Sequence, residues 1–404
     1  FYNNYTNFFK TSFNDDNKNS YLDENYKEPK IYGTPKKNLI VIYSESLEDT
    51  FSNKFFFDQD LIKEINYHSN IKSVEKYYQV PGTGYSLHSL IASQCGIPLL
   101  NLGLLRNNKH DNVKKFLPNA TCLTDILHQN NYKNILVTSD NAESGGYDAF
   151  ANSHKYDEII DLDKLAKLGY KTSRRAWHFY KKNWYGGIHD NILYKALLDT
   201  IKKNYEKEQK FFISAHTLDL HSPHGYPNPE CLKEIFIKEN KNTFDYKDSI
   251  KCSSKYISEF IDEFKKMKLE NTSLVIMGDH LFMGDIGVPN NERFIYNGFI
   301  TEEDLVFERE LINVFDFFPT LINLTGLKTV GMFILAQPED TLETCKKTID
   351  YACSLNLSVA QFSIFTPYPG TPFYDKKLYI EKLWVSPAKL RQTRKKKSRG
   401  RKET

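Results

Sequence analysis

The sequence predicts an α/β fold, a doubly wound and mostly parallel sheet flanked by helices, with a short βαβ appendage and a basic tail. Three observations carry this. Short apolar runs recur without the polar alternation of a half-exposed strand, as in Asn38–Tyr43, Asn134–Thr138, Phe211–Ser214 and Ser273–Met277, which is the pattern of parallel strands covered on both faces. Stretches with helical spacing separate them, and strands alternating with helices build a parallel sheet. Polar residues cluster directly after three of the runs, where such sheets keep their ligand sites.

Taken in order, residues 1–37 are rich in Asn, Tyr, Lys and Asp with few aliphatic residues, and read as a lead-in or linker. The packed domain is expected over 38–327. Its first strand, from Asn38, runs into Ser44-Glu45-Ser46. Leu87–Cys95 and Cys122–Asn130 have helical spacing. Over Asn191–Tyr205 the residues Ile192, Leu193, Ala196, Leu197, Thr200 and Ile201 line one face, and Ile250–Phe264 repeats the pattern. The strand at 211–214 runs into His216, Asp219 and His221, and the strand at 273–277 into Gly278-Asp279-His280.

Charge and hydropathy exclude some classes. The last 24 residues hold ten Lys/Arg against two Glu, so the net +3 of the chain divides into +8 there and −5 over residues 1–380. No nucleic-acid surface is indicated outside the tail. The basic run Arg391–Lys402 suits a solvated end or anionic lipid headgroups. No apolar run reaches the roughly 18–20 residues of a membrane helix. The sequence opens on Phe1 rather than Met, and an upstream segment, including any membrane anchor, is expected to be missing from it.

The strand-end residues suggest chemistry. Asp279 and His280 offer a carboxylate and an imidazole, a set suited to Zn²⁺, Mn²⁺ or Mg²⁺, and Glu45 can add a second carboxylate. Singly, an Asp-His pair in a loop reads equally as a turn with a satisfied histidine, and Glu45 as a carboxylate complementing a helix dipole. Thr83 stands between glycines in Gln79-Val-Pro-Gly-Thr83-Gly-Tyr-Ser86 at the start of a helix-like run. A hydroxyl there meets unpaired backbone N–H groups and becomes a nucleophile beside a metal, or is only a helix cap. Ser86 is its rival for either role. His221, with His216 and His224 nearby, is a candidate to touch a phosphate or protonate a leaving alcohol. His216 and His224 are read as structural. Trp184 precedes the third helical stretch and reads as core or as pocket wall.

Together, Glu45 after the first strand, the Gly-Thr turn about forty residues on, the Thr217–Gly225 loop with His221-x-Pro, and the late Gly-Asp279-His280 resemble the alkaline-phosphatase superfamily. Within it they look like the sulfatase-like branch of phosphoglycerol transferases and lipoteichoic acid synthases. The most specific piece is Pro81-Gly-Thr83-Gly-Tyr with Ala92-Ser-Gln-Cys95-Gly-Ile-Pro98, and the resemblance ends in Val314–Leu321, similar to the family's closing helix. It implies one divalent ion, Mn²⁺ foremost with Mg²⁺ or Zn²⁺ as substitutes, held by Glu45, Thr83, Asp279 and His280. It implies Thr83 as a covalent nucleophile that takes phosphoglycerol from phosphatidylglycerol and yields it to a glycan acceptor of the membrane-derived oligosaccharide type. His221 and Trp184 would bind the substrate, and the site would face the periplasm at the inner membrane surface. A phosphodiesterase or phosphatase of the same fold, and an inactive scaffold, are the alternatives. Thr83 lacks the Cys-x-Pro-x-Arg surroundings of true sulfatases, which disfavours sulfate-ester cleavage.

Cys95, Cys122, Cys231 and Cys252 suit an exported domain. They allow three pairings, of which Cys95–Cys122 with Cys231–Cys252 is carried forward, four buried thiols being the alternative. Residues 328–380 change register. Val330–Thr344 and Ala360–Pro372, around a helical stretch at Glu343–Leu355, resemble the closing part of a radical-SAM barrel, but no Cys-x-x-x-Cys-x-x-Cys loop is present. Neither an iron–sulfur cluster nor SAM is therefore expected. The fragment reads as a fusion or gene-assembly artefact, a capping element being the alternative, and 381–404 as a disordered basic tail.

Overall fold

A computed structural model of the chain describes residues 31–97, 115–172, 187–303, 305, 311–337, 340–354 and 359–365. The expectations for residues 1–30, for Trp184 and for the tail lie outside these.

Six strands form the main sheet: β1 (Asn38–Ser44), β2 (Lys133–Thr138), β3 (Glu158–Ile160), β4 (Phe211–His216), β5 (Thr272–Gly278) and β6 (Asn297–Ile300). Their order across the sheet is β3-β2-β4-β1-β5-β6, and all neighbours are parallel except β5 and β6. The fold class expected from the apolar runs is the one observed. β1 lies at the centre, in register with β4 from Leu39↔Phe212 to Tyr43↔His216 and with β5 from Asn38↔Thr272 to Ser44↔Gly278.

Successive side chains of a strand point to opposite faces, so β1 feeds two cores. Ile40 and Ile42, with Ile213, Ala215, Leu274 and Ile276, pack against α3 (Asp190–Tyr205) and α5 (Tyr246–Lys266). Leu39, Val41 and Tyr43, with Phe212, Val275 and Met277, pack against α1 (Ser86–Cys95), α2 (Leu123–Gln129) and α6 (Phe317–Leu324). Each fully buried aliphatic side chain contributes about 1.5–3 kcal/mol, which is why the runs lack polar interruptions.

Some helices have no counterpart among the helical stretches named above. The Lys-, Glu- and Asn-rich stretch between Cys231 and Cys252 holds α4 (Pro229–Glu239), started by Asn228, whose side chain accepts from the Glu230 N–H at 2.8 Å, with proline in its first turn. Both carried-forward disulfides are present, Cys95–Cys122 joining the end of α1 to the start of α2, and Cys231–Cys252 joining α4 to α5. Among the described residues no helix is long and apolar enough to cross a membrane.

A second compact unit begins at Val330. Here β7 (Lys328–Leu335) and β8 (Val359–Ile364) pair in parallel from Val330↔Val359 to Leu335↔Ile364, with α7 (Leu342–Ser354) between them in sequence. The first two residues of β7 belong to the larger unit, where they pair antiparallel with Ile31–Tyr32.

Candidate metal centre and hydroxyl turn

Ser44 and Gly278 are the last register partners of β1 and β5, so the next residue on each strand, Glu45 and Asp279, emerges beside the other. Gly278 is required there, because a Cβ at this position would run into the Leu47 carbonyl. The chain after β1 turns through Ser46 at φ 52°, a strained conformation for a non-glycine residue. That turn aims the Ser46 N–H at Asp279 Oδ1, 2.8 Å away, while its hydroxyl donates to Glu45 Oε1 at 2.7 Å. The Glu45 N–H is held by Thr217 Oγ1 at 2.9 Å, which ties in the end of β4.

Glu45, Asp279 and His280 are 3%, 2% and 2% exposed, and one ligand atom from each lies within 4.8 Å of the others. His280 Nε2 is 3.5 Å from Glu45 Oε1 and 3.6 Å from Asp279 Oδ2. Its Nδ1 is 2.9 Å from the Leu281 carbonyl, which can only accept, so Nδ1 carries a proton and Nε2 is the atom offered to the cluster. Burial pushes the Asp279 carboxyl up to about 6, and the facing Glu45 carboxylate adds to the rise. Burial would lower the His280 imidazole, but Asp279 and Glu45 together hold it above its ordinary value. Two buried carboxylates facing each other are costly unless a cation or protons lie between them. Two hard oxygens and one imidazole nitrogen, converging in a closed site, fit one divalent ion of the Mn²⁺, Mg²⁺ or Zn²⁺ kind.

Three of the four expected ligand residues thus come together. Besides Ser46, the hydroxyl hydrogen-bonded to them is that of Ser86 on the turn, whose Oγ donates to Glu45 Oε2 at 3.3 Å and lies 3.4 Å from His280 Nε2. Thr83 is buried at the turn three residues earlier, after Gly82 at φ 88°, and gives its hydroxyl to the Val80 carbonyl at 2.8 Å. Ser86 opens α1, and the N-cap residue Tyr85 makes no side-chain capping hydrogen bond to the first amides of the helix, which face an incoming phosphoryl oxygen.

His221 stands on the loop after β4 with Nδ1 2.8 Å from the Ser222 carbonyl, close enough to Asp140, on the loop after β2, to lower that carboxyl against the rise caused by its burial. His216 is buried, stacked on Tyr43 at 4.6 Å, and burial lowers its imidazole to about 3, so it is a neutral core residue as read. Cys95, Cys122 and His154 also converge, but the two sulfurs are bonded to each other, and His154 sets its ring between Asp125 and the Phe116 carbonyl at 2.8 and 2.7 Å.

Several neighbours carried no motif. Burial, with the nearby Asp279 and Glu45 carboxylates, pushes the Tyr147 phenol well above its usual range, and Ser86 partly offsets this, so Tyr147 borders the same site. Gly145 and Gly146, both at positive φ, precede it and were the one local signal of a sharp turn there. Gln79 and the Glu48–Arg293 pair hold the backbone just after His280. Arg293 and Glu48 are 245 residues apart, a pairing that spacing does not reveal.

Comparison with known proteins places the chain in a family. The profile of the Sulfatase family matches residues 37–327. Phosphoglycerol transferase I of Citrobacter koseri is 30% identical over 315 residues, covering 74% of this chain and 39% of that protein. The chain therefore spans well under half the length of the curated relatives it matches. Among solved structures, a lipoteichoic acid synthase from Listeria monocytogenes superposes with TM-score 0.56 at 16% identity, covering 76% of this chain and 77% of that one. An alkaline phosphatase superfamily protein from Vibrio parahaemolyticus superposes with TM-score 0.55 at 20% identity, covering 81% and 75%. These two share the fold. With the whole six-stranded unit inside the matched span and a carboxylate–imidazole cluster at its strand ends, the chain belongs to the sulfatase family.

Proposed function

We propose that residues 38–327 form the catalytic domain of a metal-dependent phosphoglycerol transferase that draws on phosphatidylglycerol and passes the group to a glycan. The observation that carries this is the buried convergence of Glu45, Asp279 and His280 beside the hydroxyl turn that opens α1. Glu45, Asp279 and His280 would hold one divalent ion, Mn²⁺ foremost, with a hydroxyl of the turn as fourth ligand. Such an ion, when bound, supplies Lewis acidity that acidifies that hydroxyl and offsets charge on the phosphoryl oxygens. The likeness to phosphoglycerol transferase I supports the choice of substrate.

In the first step the Thr83 hydroxyl, turned away from the Val80 carbonyl, loses its proton to solvent as its oxygen forms a bond to phosphorus. The phosphorus–oxygen bond to diacylglycerol breaks, and His221 is the candidate to protonate the departing oxygen. The amides at the start of α1 face the phosphoryl oxygens. In the second step an acceptor hydroxyl attacks phosphorus, the bond from phosphorus to the Thr83 oxygen breaks, and the acceptor's proton passes to that oxygen, while His221 takes back from solvent the proton it gave up. Ser86 as nucleophile is the second reading, favoured by its contacts with Glu45 and His280. Trp184 remains a proposed substrate contact. The two disulfides support an oxidising location, the periplasmic face of the inner membrane. We assign no part in this chemistry to residues 330–364.

The test is incubation with phosphatidylglycerol and Mn²⁺, with and without a glucan acceptor. Acceptor-dependent release of diacylglycerol, lost in Asp279→Ala, is expected. Free glycerol phosphate at the same rate without acceptor would show a hydrolase instead. Wild type and Asp279→Ala with equal melting temperatures and no response to Mn²⁺ would leave only a scaffold.

A further inference from the structure

The Gln79 side chain spans two parts of the site that the chain itself does not join. Its Oε1 accepts from the Leu281 N–H at 2.8 Å. Its Nε2 lies against the hydroxyl turn, 3.1 Å from where a Cβ on Gly84 would stand. Leu281 is the residue whose carbonyl takes the proton of His280 Nδ1 at 2.9 Å and so fixes which ring nitrogen faces the carboxylates. One residue on, the Phe282 N–H donates to Glu48 Oε1 at 2.9 Å, and Arg293 Nη2 donates to the Phe282 carbonyl at 2.6 Å. The two peptides after His280 are thus held from the turn bearing Thr83 and Ser86 by Gln79, and from the turn bearing Glu45 by Glu48.

We propose that Gln79 is a positioning residue that couples the hydroxyl turn to the metal-ligand loop, by holding the N–H of Leu281, the residue whose carbonyl orients His280. This rests on reading the Glu45–Asp279–His280 cluster as a metal site. Coupling between two sites is reciprocal: an ion that fixes His280 also fixes the turn, and a slack turn weakens the hold on the ion. Partners that orient a metal-ligating histidine contribute about 10–100-fold in metal affinity or activity. Glu48 and Arg293 do related work but form a buried ion pair, whose loss would leave an unpaired charge and unfold the loop. Gln79 is half-buried and uncharged, so its removal separates positioning from folding.

The test uses the full chain and compares wild type, Gln79→Leu, Gln79→Glu and Asp279→Ala by calorimetric titration with Mn²⁺, together with turnover of phosphatidylglycerol. Gln79→Leu is expected to weaken Mn²⁺ binding about 10–100-fold, with an unchanged metal-free melting temperature, and to lower kcat while KM for the lipid stays the same. Gln79→Glu keeps an acceptor oxygen for Leu281 and is expected to restore near wild-type affinity. Gln79→Met replaces Gln79→Leu if the latter does not fold. Wild-type Mn²⁺ affinity in Gln79→Leu, or equal losses in Gln79→Leu and Gln79→Glu, would overturn the inference. If Asp279→Ala alone loses Mn²⁺, the metal site stands and only the role of Gln79 falls; if Asp279→Ala binds as wild type does, the site reading falls with it.

Discussion

Without a metal, the buried cluster should hold protons in its place, and this makes stability depend on pH in a definite direction. The Asp279 carboxyl, raised to about 6 in the fold, titrates near 4 in an unfolded chain. Between these values the folded state binds the extra proton, so stability falls as pH rises through that window. Two units correspond to about 3 kcal/mol, lost between pH 4 and pH 7. His280 is also raised above its unfolded value, and its contribution is likewise lost as pH rises through its folded one. For a unit of this size the Asp279 part alone lowers the melting temperature by roughly 5–10 °C. Mn²⁺ at a hundredfold excess over its dissociation constant would return close to 3 kcal/mol at pH 7.5, and less at pH 5, where protons compete. Differential scanning calorimetry from pH 4.5 to 8, with EDTA or with Mn²⁺, reads both curves. Asp49 is raised to about 6 by burial, and Glu48 and Asp140 are raised too, so they share the sign of the slope. The diagnostic is therefore the difference between wild type and Asp279→Asn. Equal slopes for these two in EDTA, or a Mn²⁺ effect as large at pH 5 as at pH 7.5, would refute the reasoning.

Three other outcomes are expected. Trapping the phosphorylated enzyme and mapping it by mass spectrometry should find the group on Thr83, with Thr83→Ala losing at least 10³-fold in kcat and Ser86→Ala losing less; a modified Ser86 peptide would reverse the assignment. Replacing Cys95 and Cys122 by Ala opens a loop of 27 residues and should cost about 3–4 kcal/mol by chain-entropy reasoning, read from urea melts under non-reducing conditions. Gly278→Ala forces a methyl group into the Leu47 carbonyl and should cost more than about 4 kcal/mol and abolish Mn²⁺ stabilisation; a well-folded variant that still binds Mn²⁺ would contradict the described close approach.

Four strands of the main sheet were legible because burial on both faces leaves an apolar run, whereas β3 and β6, at the two edges and only three and four residues long, leave no such run. α3 and α5 were legible because each has a single buried stripe. α4 was not among the stretches read as helical, although Asn228 followed by Pro229 is a helix-start signal that needs no hydrophobic period. Glu45, Asp279 and His280 could be read from the sequence because each follows a strand end. The resemblance put Thr83 before Ser86, whereas the Ser86 hydroxyl is the one that donates to Glu45; the two stand three residues apart at one turn, and spacing alone does not tell which oxygen meets the carboxylate. Tyr147, Gln79 and Arg293 were invisible for a different reason. Their partners are 61, 202 and 245 residues away, and such pairings exist only once the sheet has formed.

The in-register ending of β1 and β5 has a consequence for when an ion can enter. Strands in a sheet run about 4.8 Å apart, so the gap between the two acidic residues is inherited from backbone pairing rather than drawn in by a cation. Assembly of the chelating pair must then await the joining of segments some 230 residues apart. Unlike a zinc finger, whose chain collapses around its ion, this scaffold comes first and loading follows, so chelation should empty the cavity reversibly and leave the sheet standing.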